Sequence, residues 1–311
     1  MVFLATGVWT LASGETTFPQ SVTDLLGREV VFSRAPGRVV SLAPSNTEIL
    51  FAIGAGDRVV AVTTYCNFPA AAAALPKIGG FAARTISIEA IVALSPDLVV
   101  AGDKNQRSVI DALVLAGVPV LSVQPRTVDE VYDTALLLGR LLESEAGASA
   151  MIADLRRRLD EVAARIATVP LERRVRVYWE VFDQPLMSAG PRSVVGQVVE
   201  LGGGINIFGD VGDEYPQINA EAVVARDPQV IMGPASMRIK SMSRDLLAAR
   251  PGWSRIAAIR EGRVVVLPDE PVTRAGPRLV EGVELVARTL YPEIFSEHSG
   301  QSDTNGVSHA P

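Results

Sequence analysis

The chain has 311 residues, enough for two α/β units with separate cores. Its net charge of −6 comes from 29 basic against 35 acidic side chains without basic clusters, so it carries no electrostatic footprint for nucleic acid or anionic lipid. Cys66 is the only cysteine, which rules out an internal disulfide, and the two histidines, His298 and His309, both fall in a polar C-terminal tail. A folded body without imidazole leaves no room for a Ser-His-Asp triad or a histidine-rich zinc site.

Residues 1–17 are apolar but short and lack a basic leading region, so they read as an export-signal remnant or an expression-derived segment, not a membrane span. The stretch from Val22 to Phe32 predicts a hairpin with its turn near Leu26-Gly27. Short apolar runs rich in β-branched residues then alternate with amphipathic stretches. Val39-Val40-Ser41-Leu42, Leu98-Val99-Val100-Ala101, Val118-Pro119-Val120-Leu121 and Val264-Val265-Val266-Leu267 read as strands. Ser108 to Ala116 and Val128 to Leu142 read as helices. Such alternation predicts α/β lobes with mainly parallel sheets covered on both faces.

One segment breaks the rhythm. From Glu143 to Thr168, Met151, Leu155, Leu159, Val162 and Ile166 recur at helical spacing until Pro170. A helix of about 25 residues is near 38 Å long, too long for a crossover inside one small sheet and suited to a rigid spine. The chain therefore divides into an N-terminal lobe over 18–142, an interlobe helix over 143–169, a C-terminal lobe over 170–295 and a disordered tail over 296–311.

The two halves repeat. Glu89-Ala90-Ile91-Val92-Ala93-Leu94-Ser95-Pro96-Asp97-Leu98-Val99 recurs as Glu221-Ala222-Val223-Val224-Ala225-Arg226-Asp227-Pro228-Gln229-Val230-Ile231. Each half also carries a glycine corner, Ile53-Gly54-Ala55-Gly56 in the first and Leu201-Gly202-Gly203-Gly204 in the second. The order strand, helix, glycine corner, Glu-helix, proline, strand is thus preserved on both sides of the long helix, which predicts two similar lobes.

Catalytic equipment is sparse. Gly202-Gly203-Gly204 is no dinucleotide fingerprint, and neither a Walker A sequence nor Gly-x-Ser-x-Gly occurs. Cys66 lacks a histidine base and reads as a small, partly buried residue. The acidic turn from Asp210 to Glu214 does not match a calcium loop. These residues favour a binder over an enzyme, with no catalytic cofactor and no bound metal; an enzyme or cofactor chaperone on the same scaffold is the alternative of another class.

Arg38-Val39-Val40-Ser41-Leu42-Ala43-Pro44-Ser45-Asn46-Thr47-Glu48-Ile49-Leu50, the two Glu-helices and Tyr215-Pro216-Gln217-Ile218-Asn219 resemble the helical-backbone class of ABC-importer substrate-binding proteins. That class serves cobalamin, haem, ferric siderophores and some metal ions, and the resemblance runs from about Phe18 to Ile294. It implies an extracytoplasmic, monomeric protein that holds a bulky ligand between its lobes and delivers it to an ABC permease dimer with ATPase subunits. By motif, Glu89 and Glu221 match the glutamates that meet arginines on the two permease subunits; as acidic residues at helix starts they also favour the helix dipole.

For the ligand, the resemblance is strongest to cobalamin-binding members, which line the cleft with aromatics. Tyr65, Phe81, Trp179 and Tyr215 fall at or near such positions, and Arg274 matches a cleft arginine. Trp179, on a predicted strand, fits core and cleft equally. Gly102 stands where a tryptophan may occur in the family, and Glu270 stands near an expected aspartate. Haem or ferric-siderophore binding is the runner-up. For haem, Phe81 stands where haem members often carry a tyrosine, and phenylalanine cannot ligate iron, though Tyr65 could offer a phenolate elsewhere. For an anionic siderophore, Arg84, Lys104, Arg107, Arg238 and Arg274 are the basic candidates.

Overall fold

The computed structural model describes residues 17–235 and 242–295. Residues 1–16, Arg238, both histidines and the tail after 295 lie outside them. The chain starts with the expected hairpin, β1 (Gln20–Thr23) paired antiparallel to β2 (Glu29–Phe32), with Gly27 in the turn at φ 75°.

In the first lobe come β3 (Val39–Ser41), α1 (Pro44–Ala52), β4 (Val59–Val62), α2 (Ala70–Ala73), α3 (Ile88–Ala93), β5 (Leu98–Ala101), α4 (Arg107–Leu115), β6 (Val120–Ser122) and α5 (Val128–Leu141). The strands form a parallel sheet in the order β4-β3-β5-β6. Their residues are almost all buried, because helices cover both faces and no strand has a solvated side.

The long helix α6 (Glu145–Ile166) follows; its 22 residues span about 33 Å. Ala148, Met151, Ile152, Leu155, Val162 and Ile166 form its buried stripe, close to the predicted positions. This stripe belongs to one apolar core that runs from Val39 and Leu50 in the first lobe to Val177 and Val283 in the second. Relative motion of the lobes therefore requires bending a packed helix, which resists because its backbone hydrogen bonds have no other partners. The helix comes close to the first lobe at Gly147, where a Cβ would stand 2.0 Å from the Ile53 carbonyl oxygen.

The second lobe contains β7 (Arg176–Asp183), β8 (Leu186–Ser188), α7 (Val194–Leu201), β9 (Ile205–Asn206), α8 (Ala220–Arg226), β10 (Val230–Pro234), α9 (Arg244–Ala248), α10 (Ala257–Arg260), β11 (Val264–Leu267), α11 (Asp269–Thr273), α12 (Leu279–Leu290) and α13 (Pro292–Phe295). β9, β10 and β11 run parallel to one another through β7, in the order β9-β7-β10-β11, while β8 pairs antiparallel with the outer end of β7. Matching β3 with β7, β4 with β9, β5 with β10 and β6 with β11 gives the parallel strands of the two sheets the same order, with β8 an addition to the second.

The repeat holds at finer scale. Gly54 and Gly203 turn their corners at φ 82° and 85°, a left-handed conformation that a Cβ disfavours. Ser95 and Asp227, each just before the proline of the repeat, share positive φ values of 47° and 40°. Helices α3 and α8 start with side-chain caps: Ser87 Oγ accepts from Ala90 N at 3.2 Å, and Asn219 Oδ1 accepts from Ala222 N at 2.7 Å. Glu89 and Glu221 therefore occupy the same second helical position, and both are exposed.

Candidate ligand cleft between the lobes

Parallel sheets gather functional side chains at the carboxyl ends of their strands, where the loops leave the sheet. Here β3 leads into Ala43, β4 into Tyr65, β5 into Asp103 and β6 into Gln124, and all four border one cleft of ≈ 490 Å³. The second lobe faces it with Val194 at the start of α7, the Glu214-Tyr215 loop, and the segment from Thr273 to Ala275 after α11. Its size lies within the usual range for small-molecule sites.

Three of the four aromatic residues expected at the ligand come together here: Tyr65 and Phe81 from one lobe and Tyr215 from the other. Tyr65 is 58% exposed and Tyr215 37%, so both rings offer surface to an occupant. The Phe81 loop is tied down by Gln106, whose Nε2 donates to the Phe81 carbonyl at 3.1 Å and to the Leu42 carbonyl at 3.0 Å. The Tyr215 loop is anchored on β8 and its exit, with Ser188 N donating to Pro216 O at 3.0 Å and Gly190 N to Glu214 O at 2.9 Å. Burial, reinforced by Glu214 and opposed by Arg126, pushes the Tyr215 hydroxyl up to about 12, so it is a neutral hydrogen-bonding group at physiological pH.

Trp179 is a correction. It is 1% exposed, pairs with Met232 inside the second sheet, and takes no part in lining the cleft. A side chain in the middle of a two-sided parallel strand points into a helix layer, whereas the cleft lies beyond the strand ends. Cys66 is likewise more buried than expected, at 1%, with its sulfur 3.1 Å from the hydroxyls of both Thr47 and Thr63.

Arg274 lines the cleft as expected, but it is not alone. Its Nη1 lies 3.2 Å from Glu48 Oε1 in α1 and donates to Asn67 Oδ1 at 2.9 Å; its Nη2 reaches Glu270 Oε1 at 3.3 Å. Arg278 adds two bonds to Glu48, at 3.1 and 2.9 Å, while stacking its guanidinium 4.0 Å from the centre of the Phe68 ring. Glu270, which also accepts from Asn67, completes a cluster that joins the lobes across one end of the cleft. At the cleft's other side Arg126 bridges Asp103 of its own lobe, at 3.2 Å, and Glu214 of the opposite lobe, at 3.6 Å. Its carbonyl accepts from Gln197 Nε2 of α7 at 2.9 Å.

Of the other basic candidates, Arg107 pairs with Asp111 one helical turn away at 2.9 Å, and neither Arg84 nor Lys104 borders the cleft. Gly102 does not present a side chain to a ligand; its N–H donates to Gln106 Oε1 at 2.8 Å, and a Cβ would meet Gln124 Oε1 at 2.9 Å. Sequence reasoning missed Asp103, Gln124, Arg126 and Glu214 as lining residues, and gave Glu48 and Arg278 no role. Their position just past strand ends was a usable signal for Asp103 and Gln124; the partnership of Glu48 with Arg278, 230 residues apart, had none.

The Glu270 carboxyl gives a pH test. Burial raises its pKa, but Asn67, Arg274 and Arg278 outweigh that and hold it below the usual carboxylate range. A depressed folded-state pKa means the unfolded chain binds the proton more readily, so the stabilisation is present above the unfolded value and fades as pH falls through the folded one. Glu270→Gln should therefore lower the denaturation midpoint at neutral pH, with the gap from wild type narrowing below about pH 4.3. A gap independent of pH would show that the cluster is not electrostatic.

A profile of the periplasmic binding protein family matches residues 39–271. The chain belongs to that family. An uncharacterized ABC transporter substrate-binding lipoprotein of Bacillus subtilis is 30% identical, over 90% of this chain and 88% of its own length. A cobalamin-binding protein of Halobacterium salinarum is also 30% identical, covering 88% and 75%. Among solved structures, the periplasmic vitamin B12-binding protein of Vibrio cholerae superposes with a TM-score of 0.67 at 28% identity, over 83% of this chain and 98% of that one. A periplasmic haem-binding protein of Pseudomonas aeruginosa gives 0.72 at 28% identity, over 83% and 94%. The protein is thus an ABC-importer substrate-binding protein of the periplasmic binding protein family, with the two-lobed α/β fold and the extracytoplasmic setting of that family. No described helix is long and apolar enough to cross a membrane.

Proposed function

We propose that this protein captures a corrinoid between its lobes and delivers it, chemically unchanged, to an ABC permease that it docks through Glu89 and Glu221. One observation carries the ligand: Tyr65, Phe81 and Tyr215 converge on a single cleft, offering flat apolar surface with hydroxyl edges from both lobes. The cobalamin- and B12-binding relatives point the same way. The position where haem members often carry an iron-ligating tyrosine holds Phe81, which cannot ligate iron, so a phenolate for haem would have to come from elsewhere in the cleft, as from Tyr65. Capture without turnover agrees with the substrate-binding roles of the relatives.

Haem or a ferric siderophore is the second reading, favoured by the fit to the Pseudomonas haem-binding structure. Incubating the purified protein with cyanocobalamin, haemin or a ferric trihydroxamate separates the readings. Cyanocobalamin should shift the corrin absorption and, at about 100 times its Kd, add about 2.7 kcal/mol of stability. A shift with haemin or the ferric complex, and none with cyanocobalamin, would reverse the assignment.

A further inference from the structure

We infer that the cleft selects ligands without net negative charge, because each arginine that lines it is already neutralised by carboxylates from both lobes. This rests on the interlobe cleft being the ligand site, though not on the ligand being a corrinoid.

Four ionisable side chains other than tyrosine border the cleft: Asp103, Arg126, Glu214 and Arg274. Their charges cancel, and the pairing is closed. Arg274 meets Glu48 of the opposite lobe at 3.2 Å and Glu270 of its own at 3.3 Å. Arg126 meets Asp103 of its own lobe at 3.2 Å and Glu214 of the opposite lobe at 3.6 Å. If Arg126 turned to an anionic ligand it would leave Asp103 without its counter-ion, and if Arg274 did, Glu48 and Glu270 would be left to share Arg278 alone. The Glu48 side chain is 2% exposed and that of Asp103 8%. A buried carboxylate stripped of its counter-ion costs far more than a surface pair contributes. An incoming carboxylate, propionate or catecholate would also meet the partly exposed Glu214 on the cleft wall. A neutral ligand disturbs none of this and exploits the aromatic surface. The cleft arginines thus act as a charge filter: what looks like an anion trap in the sequence is a discriminator against anions.

The test uses matched ligands that differ in one charge. Cyanocobalamin is compared with its monocarboxylate derivatives, in which one side-chain amide has become an acid, by titrating the wild-type protein and two variants. The acids should bind wild type about 10–100-fold more weakly than the amide. In Glu48→Gln, which leaves Arg274 and Arg278 with Glu270 as their one shared carboxylate, and in Glu214→Gln, which leaves Arg126 with Asp103 alone, that ratio should narrow by about tenfold or more. Glu214 is partly exposed, so its variant gives a reading even if loss of the buried Glu48 impairs folding. Acids that bind wild type as tightly as the amide, or a ratio unmoved in a folded variant, would overturn the inference. Should no corrinoid bind at all, the corrinoid reading falls and the charge filter is read from a neutral ferric trihydroxamate against an anionic ferric tricatecholate. A preference for the tricatecholate would then overturn it.

Discussion

Reversing the charge at both Glu89 and Glu221, to arginine, is expected to cut ligand uptake by cells about tenfold or more while leaving the affinity of the isolated protein within about twofold. The expectation follows from the duplication. Both carboxylates are exposed, both stand at the second position of a helix capped by its own Ser87 or Asn219, and both lie in lobes whose parallel strands have the same order. A two-fold permease presents the same surface twice, and a duplicated acidic residue supplies the matching pair. A purely local role makes a different prediction. Removing an acidic residue from a helix start costs about 0.3–1 kcal/mol of stability per site and does not touch transport at a working temperature well below unfolding. Uptake assays on the double variant, with binding measured in parallel, separate the two. Lost affinity would mean that these residues face the ligand; preserved uptake would remove them from the docking surface.

The second large effect concerns the scaffold. Arg250→Met is expected to destabilise the protein by about 3–5 kcal/mol in denaturant unfolding. Glu180 lies in β7 with its side chain 0% exposed and receives both Arg250 guanidinium nitrogens, at 2.5 and 2.9 Å. The same guanidinium lies 4.5 Å from the centre of the Trp253 ring, and Trp253 in turn meets Tyr178 edge-to-face at 5.8 Å between ring centres. Removing the cation strips a buried carboxylate of its counter-charge and loosens an aromatic cluster beneath the second sheet. Combining Arg250→Met with Glu180→Leu should restore much of the loss, since an apolar pair of similar volume tolerates the site. A single-variant loss under about 1 kcal/mol would show that the pair is not what holds this layer together.

The local rules were enough for the scaffold. β-branched runs alternating with amphipathic segments implied parallel sheets, and helical spacing from Met151 to Ile166 implied the spine, because these patterns are set by periodicities of two and 3.6 residues that need no distant partner. The repeat around Glu89 and Glu221 implied matched lobes, and the shared order of their parallel strands follows from it. Helix ends moved by only a residue or two, as expected where capping decides them.

The site was legible only in part. Tyr65, Phe81, Tyr215 and Arg274 could be chosen through the resemblance to cobalamin-binding members, and Tyr65 and Tyr215 also because both precede loops, where side chains reach a cleft. Trp179 could not be placed, because period-two alternation gives two faces without saying that the ligand lies beyond the strand ends and not above the sheet. Nor could the charge state of the cleft be read. Arg274 and Arg126 look alike as sequence, and their meaning depends on Glu48 and Glu214, supplied by the opposite lobe across a gap that only folding closes. Elements and duplication are local properties of a polypeptide; electrostatic compensation is a property of which surfaces meet, and tertiary structure alone decides that.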